Sequence, residues 1–156
     1  MQNNFLITTA LKATWKTGPS VNYLGRWCIP YQEEIKLNKL KFNYHWDDRQ
    51  KLKNDYRYLE NFYEIVLKNL SNFLNEYHNI KKEVNFWRII IGPWLISLVG
   101  IIFDRYEILR IYYKNIQYVN TEIINLEEKK LIPFNWQGYQ NILAVSDLWN
   151  HWIFGK

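Results

Sequence analysis

From Leu52 onward, apolar and aromatic residues fall at Leu52, Tyr56, Leu59, Tyr63, Val66, Leu70, Phe73 and Tyr77, in alternating steps of four and three. Steps of that size return to one face of a helix, so the pattern predicts a helix over about 47–78. Asp47 or Asp48 supplies the N-cap oxygen and the negative charge that suits a helix start, and His78-Asn79 ends it. Phe62, Leu67 and Leu74 widen the stripe, which favours packing into a globular core over a free coiled coil. A second helical segment runs over about 84–114. Its first half is apolar nearly all round, which reads as a helix buried on most sides. Gly92-Pro93 interrupts it: Pro93 either kinks one helix or opens a new one at the first-turn position. Two long helices with a short connection predict an antiparallel pair.

The flanking pattern is shorter-ranged. Phe5–Thr8 and Val21–Leu24 read as short strands, punctuated by Gly18-Pro19-Ser20 and Gly25. Ala10–Lys16, between them, has room for one or two helical turns. Thr121–Leu126 is a candidate third strand and Glu127–Lys130 a charged turn. After Pro133, residues 136–154 read as one aromatic-rich helix. The expected class is therefore a helix-rich α/β fold.

Length and composition narrow the picture. The chain has 156 residues, enough for a single domain with a core, and 28 aromatic side chains (8 Trp, 12 Tyr, 8 Phe). Cys28 is the only cysteine, which excludes an internal disulfide framework and any Cys/His zinc grid and points to a reducing compartment. No basic region followed by a long apolar run opens the chain, so no signal peptide is visible. The most apolar window, Ile89–Phe103, is 15 residues long between Arg88 and Asp104. Crossing a bilayer takes about 20. The window reads as a buried helix, with a helix lying on a membrane surface as the alternative.

The formal charge of +5 is unevenly placed. Residues 12–57 carry ten Lys/Arg against five acids, and the rest of the chain ten against ten. The excess can attract an anion such as a phosphate, a nucleotide or an acidic sugar, or it is a solvated basic face. Acids are interleaved with it and no reader motif appears, which argues against nucleic acid as a partner.

No Gly-rich phosphate loop, GxSxG elbow, HExxH or kinase signature is present, and no cofactor is implied. Candidate chemistry lies in polar clusters set among aromatics. In Tyr44-His45-Trp46-Asp47-Asp48-Arg49, a His two residues from an Asp at a helix start suits a general base or an anion cradle, or plain capping. His45, Asp47 and Asp48 have ligand atoms but no diagnostic metal spacing, so no metal site is assigned. Arg88 and Asp104 bracket the apolar window and each needs a partner if buried. Asp104 can meet a basic residue of the long helix, and Arg88 a ligand phosphate. In Ser146-Asp147-Leu148-Trp149-Asn150-His151-Trp152, Asp147 and His151 are spaced i,i+4 and share a helix face, the arrangement of an oriented base or of a simple hydrogen bond. Trp149 can stack on a sugar or a base, or fill core. Thr8 and Thr9 follow the first strand, where ligands of open α/β sheets bind. Cys28 reads as a buried structural thiol.

FLITTALKATW (5–15), YLGRWC (23–28), YHWDDRQKLKNDYRYLENFY (44–63), FWRIIIGPWL (86–95), FDRYE (103–107) and SDLWNHWIF (146–154) occur in an order and spacing that resembles the N-terminal region of a transferase family. That family is encoded in bacterial surface-polysaccharide and O-antigen gene regions. The likeness spans nearly the whole chain, and YHWDDR followed by WRIIIGPWL is its most distinctive part. The resemblance implies a cytoplasmic, glycosyltransferase-like enzyme, at the inner face of the membrane if peripherally attached, with two α/β domains. Residues 1–156 would be the N-terminal one, part of a longer chain and inactive alone. A carbohydrate acceptor would bind on this side, and the nucleotide-sugar donor in the C-terminal part. Catalytic candidates are His45, Asp47, Asp147 and His151. Substrate-binding candidates are Thr8, Thr9, Arg26, Arg49, Arg88, Asp104, Trp149 and Asn150. The competing expectation is a non-catalytic helical module that binds a protein partner or a membrane through an exposed aromatic face.

Overall fold

The structure, a computed structural model, describes residues 4–18, 20–30, 44–115 and 119–156. Pro19 of the first turn and three lysines of the basic excess, Lys36, Lys39 and Lys41, lie outside the described residues. The elements are β1 (Asn4–Ile7), β2 (Val21–Tyr23), α1 (Arg49–Tyr77), α2 (Val84–Asn115), β3 (Val119–Asn120), α3 (Trp136–Tyr139) and α4 (Asp147–Phe154), with short 3-10 turns at Lys12–Thr14, Arg26–Cys28 and Glu128–Leu131. They group into two compact units, one of residues 1–45 with 104–156, the other of residues 46–103.

The first unit is built on a parallel sheet of order β2-β1-β3. Phe5, Leu6 and Ile7 pair with Val21, Asn22 and Tyr23 on one side, and Asn4 and Phe5 with Val119 and Asn120 on the other. The chain thus starts in the central strand, moves to one edge, then crosses to the other. Apolar side chains at Phe5, Leu6 and Ile7 bury both faces of β1 together with Leu24, Cys28 and Ile108, the uninterrupted pattern of a covered parallel strand. Burial also pushes the Cys28 thiol up to about 12, so it stays protonated. Its Sγ–H donates to Ile7 O at 3.2 Å.

The ladder stops early for a local reason. β1 ends at Ile7, one residue before the expected end at Thr8, because indole N–H groups occupy the next carbonyls: Trp27 Nε1 on Thr8 O and Trp15 Nε1 on Thr9 O, both at 3.0 Å. On the other edge the third strand is Val119–Asn120, not the expected 121–126. There Thr121 places its hydroxyl, rather than its backbone, on Leu6 O at 2.9 Å.

The second unit is the helical hairpin. Asp48, not Asp47, caps α1, its Oδ1 accepting Gln50 N and Lys51 N. Asn79 leaves the helix at φ 51°, a left-handed position that Asn tolerates. Asn75 ties the turn: its Oδ1 accepts Lys82 N and Trp87 Nε1, and its Nδ2 donates to Lys82 O. Tyr63 and Leu67 of α1 pack on Leu95 and Val99 of α2. Asn75 meets Trp87, while Tyr58 meets Phe103 farther back along α1, so the pair is antiparallel. Gly92 is needed at the crossing, since a Cβ there would sit 2.8 Å from Tyr63 Oη. α2 continues through Pro93 as one helix, with the proline ring on an exposed side.

Three expectations need correction. The heptad-like stripe does not stay on the core side. A straight helix drifts about 20° per heptad against a 3.5-residue repeat, so Phe73 and Tyr77 at its end are exposed, while Leu67, beside the stripe, is fully buried. α2 is not buried on most sides either: within this unit only α1 covers it, which hides Trp87, Leu95 and Val99 but leaves Ile89 81% exposed and Ile90 and Ile96 about half exposed. Finally, 136–154 is not one helix. α3 is a single turn capped by Asn135 on Gly138 N, a π turn follows at Gln140–Ala144, and Ser146 accepts Trp149 N to start α4 anew.

The burial contrast predicts the stability of two substitutions. Leu67→Ala should lower unfolding free energy in urea by about 2–4 kcal/mol through the cavity it leaves. Ile89→Ala should change it by less than about 0.5 kcal/mol.

Candidate functional site

α4 carries four of the nine candidate side chains of the sheet unit, Asp147, Trp149, Asn150 and His151. Its N-terminal Asp147 reaches the loop after β1, where Oδ1 accepts Ala10 N at 3.1 Å. One turn on, buried His151 reaches the segment after β3, where Nε2 accepts Ile124 N at 3.0 Å. The expected i,i+4 bond between Asp147 and His151 is therefore replaced by two separate pins, each to backbone beyond the carboxyl end of a strand. Thr8 and Thr9 lie at the same end, both buried. The β1/β3 boundary is where the strand order reverses, the place where open α/β sheets hold ligands.

A ring nitrogen that accepts an N–H carries no proton, so at neutral charge the His151 proton sits on Nδ1. That atom is buried and has no hydrogen-bond partner among the described residues. Burial also holds the His151 pKa below its ordinary value, which keeps the ring neutral at pH 7. Asp147 is half-buried, and among the described residues only its Oδ1 accepts a hydrogen bond.

A second network joins α4 from the side of α2. Asp104, 5% exposed, accepts Tyr44 Oη–H at 2.5 Å and bonds His45 Nε2 at 2.8 Å through the same Oδ1. Its Oδ2 pairs with Arg105. Arg105 Nε donates to Asn150 Oδ1 at 2.7 Å, and Asn150 Nδ2 donates to Ser146 O at 2.9 Å. A buried carboxylate is stable only when its charge and lone pairs are matched, and here Tyr44, His45 and Arg105 do so. Trp149 is 4% exposed and packs near Trp152, so its ring serves the core. Arg26 is exposed in the turn after β2.

Three candidates fall in the hairpin unit. Asp47 and Arg49 are exposed at the start of α1. Arg88 forms a forked pair with Glu64 of α1, at 2.5 and 2.8 Å, which holds the Glu64 carboxyl below the usual range. The basic partner expected for Asp104 from the long helix is thus Arg105, its own neighbour, and the long helix instead supplies the partner of Arg88. An open basin lined by Asn72, Asn75, Glu76, Asn79, Ile80 and Lys81 sits at the hairpin turn and includes none of the candidates.

Sequence reasoning missed Trp15, Trp27 and Arg105. Adjacent opposite charges at the end of an apolar helix, Asp104-Arg105, were the available signal for one of them. For the two indoles there was none, because a Trp that donates to a distant carbonyl has the same spacing as one that fills core.

A family model described as LIC12162 family transferase matches residues 4–156. No curated protein and no solved structure matches the chain. The match covers the sheet, the hairpin and α4 alike, and on that extent the chain belongs to the LIC12162 family of transferases.

Proposed function

We propose that the protein is a glycosyltransferase-like enzyme of bacterial surface-polysaccharide or O-antigen assembly, and that the carboxyl end of β1 beneath α4 is its acceptor side. Membership of a transferase family supports the reaction class. The observation that carries the site is the placement of Asp147, with one carboxylate oxygen pinned to Ala10 N and the other open, beside Thr8 and Thr9 at the strand-order reversal. The substrate class rests on the resemblance described above, in which the nucleotide-sugar donor binds a C-terminal part of a longer chain.

In this reading an acceptor hydroxyl attacks the anomeric carbon of a nucleotide sugar. The new C–O bond forms as the bond to phosphate breaks, the nucleoside diphosphate leaves with the bonding pair, and Asp147 Oδ2 takes the hydroxyl proton. His151 acts as a donor, its Nδ1–H offered to a substrate oxygen, since its Nε2 is committed to Ile124. Thr8 supplies its hydroxyl to the acceptor, while fully buried Thr9, its Oγ1 on Leu11 N, holds the loop beneath it. His45, Asp104 and Asn150 position α4 through Arg105, with His45 the next candidate for the base. Arg26 faces solvent in the sheet unit, where it suits an anionic substrate group. Asp47, Arg49 and Arg88 belong to the hairpin unit and have no step in this reaction.

Asp147→Asn keeps an oxygen for Ala10 N–H but removes the base. Made in the longer chain that carries the donor-binding part, the variant is expected to lose sugar transfer from a panel of nucleotide sugars by about a hundredfold or more, with Tm unchanged. Full activity in the variant would remove Asp147 from the chemistry, and no transfer by the longer wild-type chain from any nucleotide sugar would overturn the substrate class.

His151 gives a pH test. Its folded pKa lies below the unfolded value of about 6.5, so between the two the unfolded chain binds the proton and the folded chain does not. Stability is then full above pH 6.5 and falls as pH drops through that window. His151→Gln keeps an acceptor for Ile124 N–H without titrating, so its Tm should fall less than the wild type's between pH 7.5 and 5.5.

A further inference from the structure

The hairpin unit carries a second surface, distinct from α4. On α2, Phe86, Ile89, Ile90, Pro93 and Ile96 share one side of the helix and all are exposed. On α1, exposed Tyr58, Phe62 and Ile65 recur at steps of four and three. Tyr58 also lies 5.9 Å from Phe62 and 5.7 Å from half-buried Phe103 of α2. An exposed apolar face that runs from Phe86 to Ile96 along one helix marks a surface meant to be covered.

The chemistry of its ends identifies the cover. Lys82 Nζ stands 5.3 Å from the Phe86 ring at one end of the α2 stretch, and Lys51 Nζ, which also pairs with Asp55, stands 5.8 Å from the Phe103 ring at the other. Apolar residues between ends that combine an aromatic ring with an ammonium group match the hydrocarbon boundary and the anionic headgroups of a bilayer. By length and composition alone α2 is apolar enough to cross a membrane. Its uncharged stretch, however, runs only from Ile89 to Phe103, 15 residues and about 22 Å, against a hydrocarbon core of about 30 Å. Arg88 is moreover held by Glu64, and Asp104 by His45 and Arg105. The geometry fits a helix that lies in the interface, not one that crosses it.

We propose that this hairpin face docks the protein on an anionic lipid bilayer, with Ile89, Ile90 and Ile96 sunk at the acyl boundary and Lys82 and Lys51 at headgroup level. The proposal is independent of the transferase chemistry, and its test reads binding alone.

The test is flotation with vesicles of phosphatidylcholine and phosphatidylglycerol. Wild-type protein should float. The double variant Ile89→Glu/Ile96→Glu should float at least about tenfold less, with an unchanged circular dichroism spectrum and Tm because both side chains are exposed. Lys82→Gln should weaken binding and flatten its salt dependence. Failure of the wild type to float, or equal flotation of the isoleucine variant, overturns the proposal. So does a concentration-dependent dimer that does not float and that the isoleucine variant dissociates, which would assign the face to a second copy of the chain. Equal flotation on pure phosphatidylcholine overturns the anionic requirement.

Discussion

A central strand of four residues, flanked by one of three and one of two, has few ladder partners for its backbone. Buried N–H and C=O groups must nonetheless be matched. In this chain side chains take over where the ladder stops. Thr121 covers Leu6 O, Cys28 shares Ile7 O with Leu24 N, and Trp27 and Trp15 cover Thr8 O and Thr9 O. Asp147 and His151 then satisfy Ala10 N and Ile124 N. Without Thr121, Trp15, Trp27, Asp147 and His151 the carboxyl end of the sheet would carry a row of orphaned polar groups, each costing about 1–3 kcal/mol.

The same requirement fixes α4. A helix of eight residues is too short to be stable by itself, and this one is held at three points: by Asp147, by His151, and by Asn150 through Arg105 and Asp104 to His45. In the proposed reaction, structural and chemical duty therefore fall on the same residues. Asp147 can serve both because a carboxylate has two oxygens. His151 can do so in only one tautomer, since the nitrogen that accepts Ile124 N–H leaves the proton on the other. In the proposed reaction this leaves the base to Asp147 and the donor role to His151, a division that the i,i+4 spacing alone left open.

How much of this was legible in the sequence depended on the range of the interaction. α1, with its Asp48 cap and its end at His78, followed from local pattern and capping chemistry, and so did the two short strands to within a residue. The location of β3 did not, because TEIINL has the composition of a strand but its Thr121 hydroxyl and Ile124 N–H are claimed by Leu6 and His151, 115 and 27 residues away. The break before α4 was signalled by Ser146, a strong N-cap, which the aromatic run around it obscured. Among the candidates, Thr8, Thr9, His45, Asp104, Asp147, Asn150 and His151 come together in the sheet unit. Asp47, Arg49 and Arg88 do not, since polar residues set among aromatics look alike whether they face a site or a neighbouring helix.

The hairpin shows the opposite balance, with polar groups matched and apolar ones left over. Arg88 has Glu64, Lys51 has Asp55 and Asn75 holds the turn. Yet Ile89, Ile90 and Ile96 face outward beside Phe86. Two helices can bury only one stripe of each against the other, so an α2 that is apolar nearly all round necessarily presents an uncovered side. Charge could have been placed there at no structural cost, as it is at Arg88 and from Asp104 onward. Its exclusion from Ile89 through Phe103, on the covered and uncovered sides alike, is what a helix needs when its second neighbour is itself apolar, and the lysines over Phe86 and Phe103 bound that requirement to the length of the face.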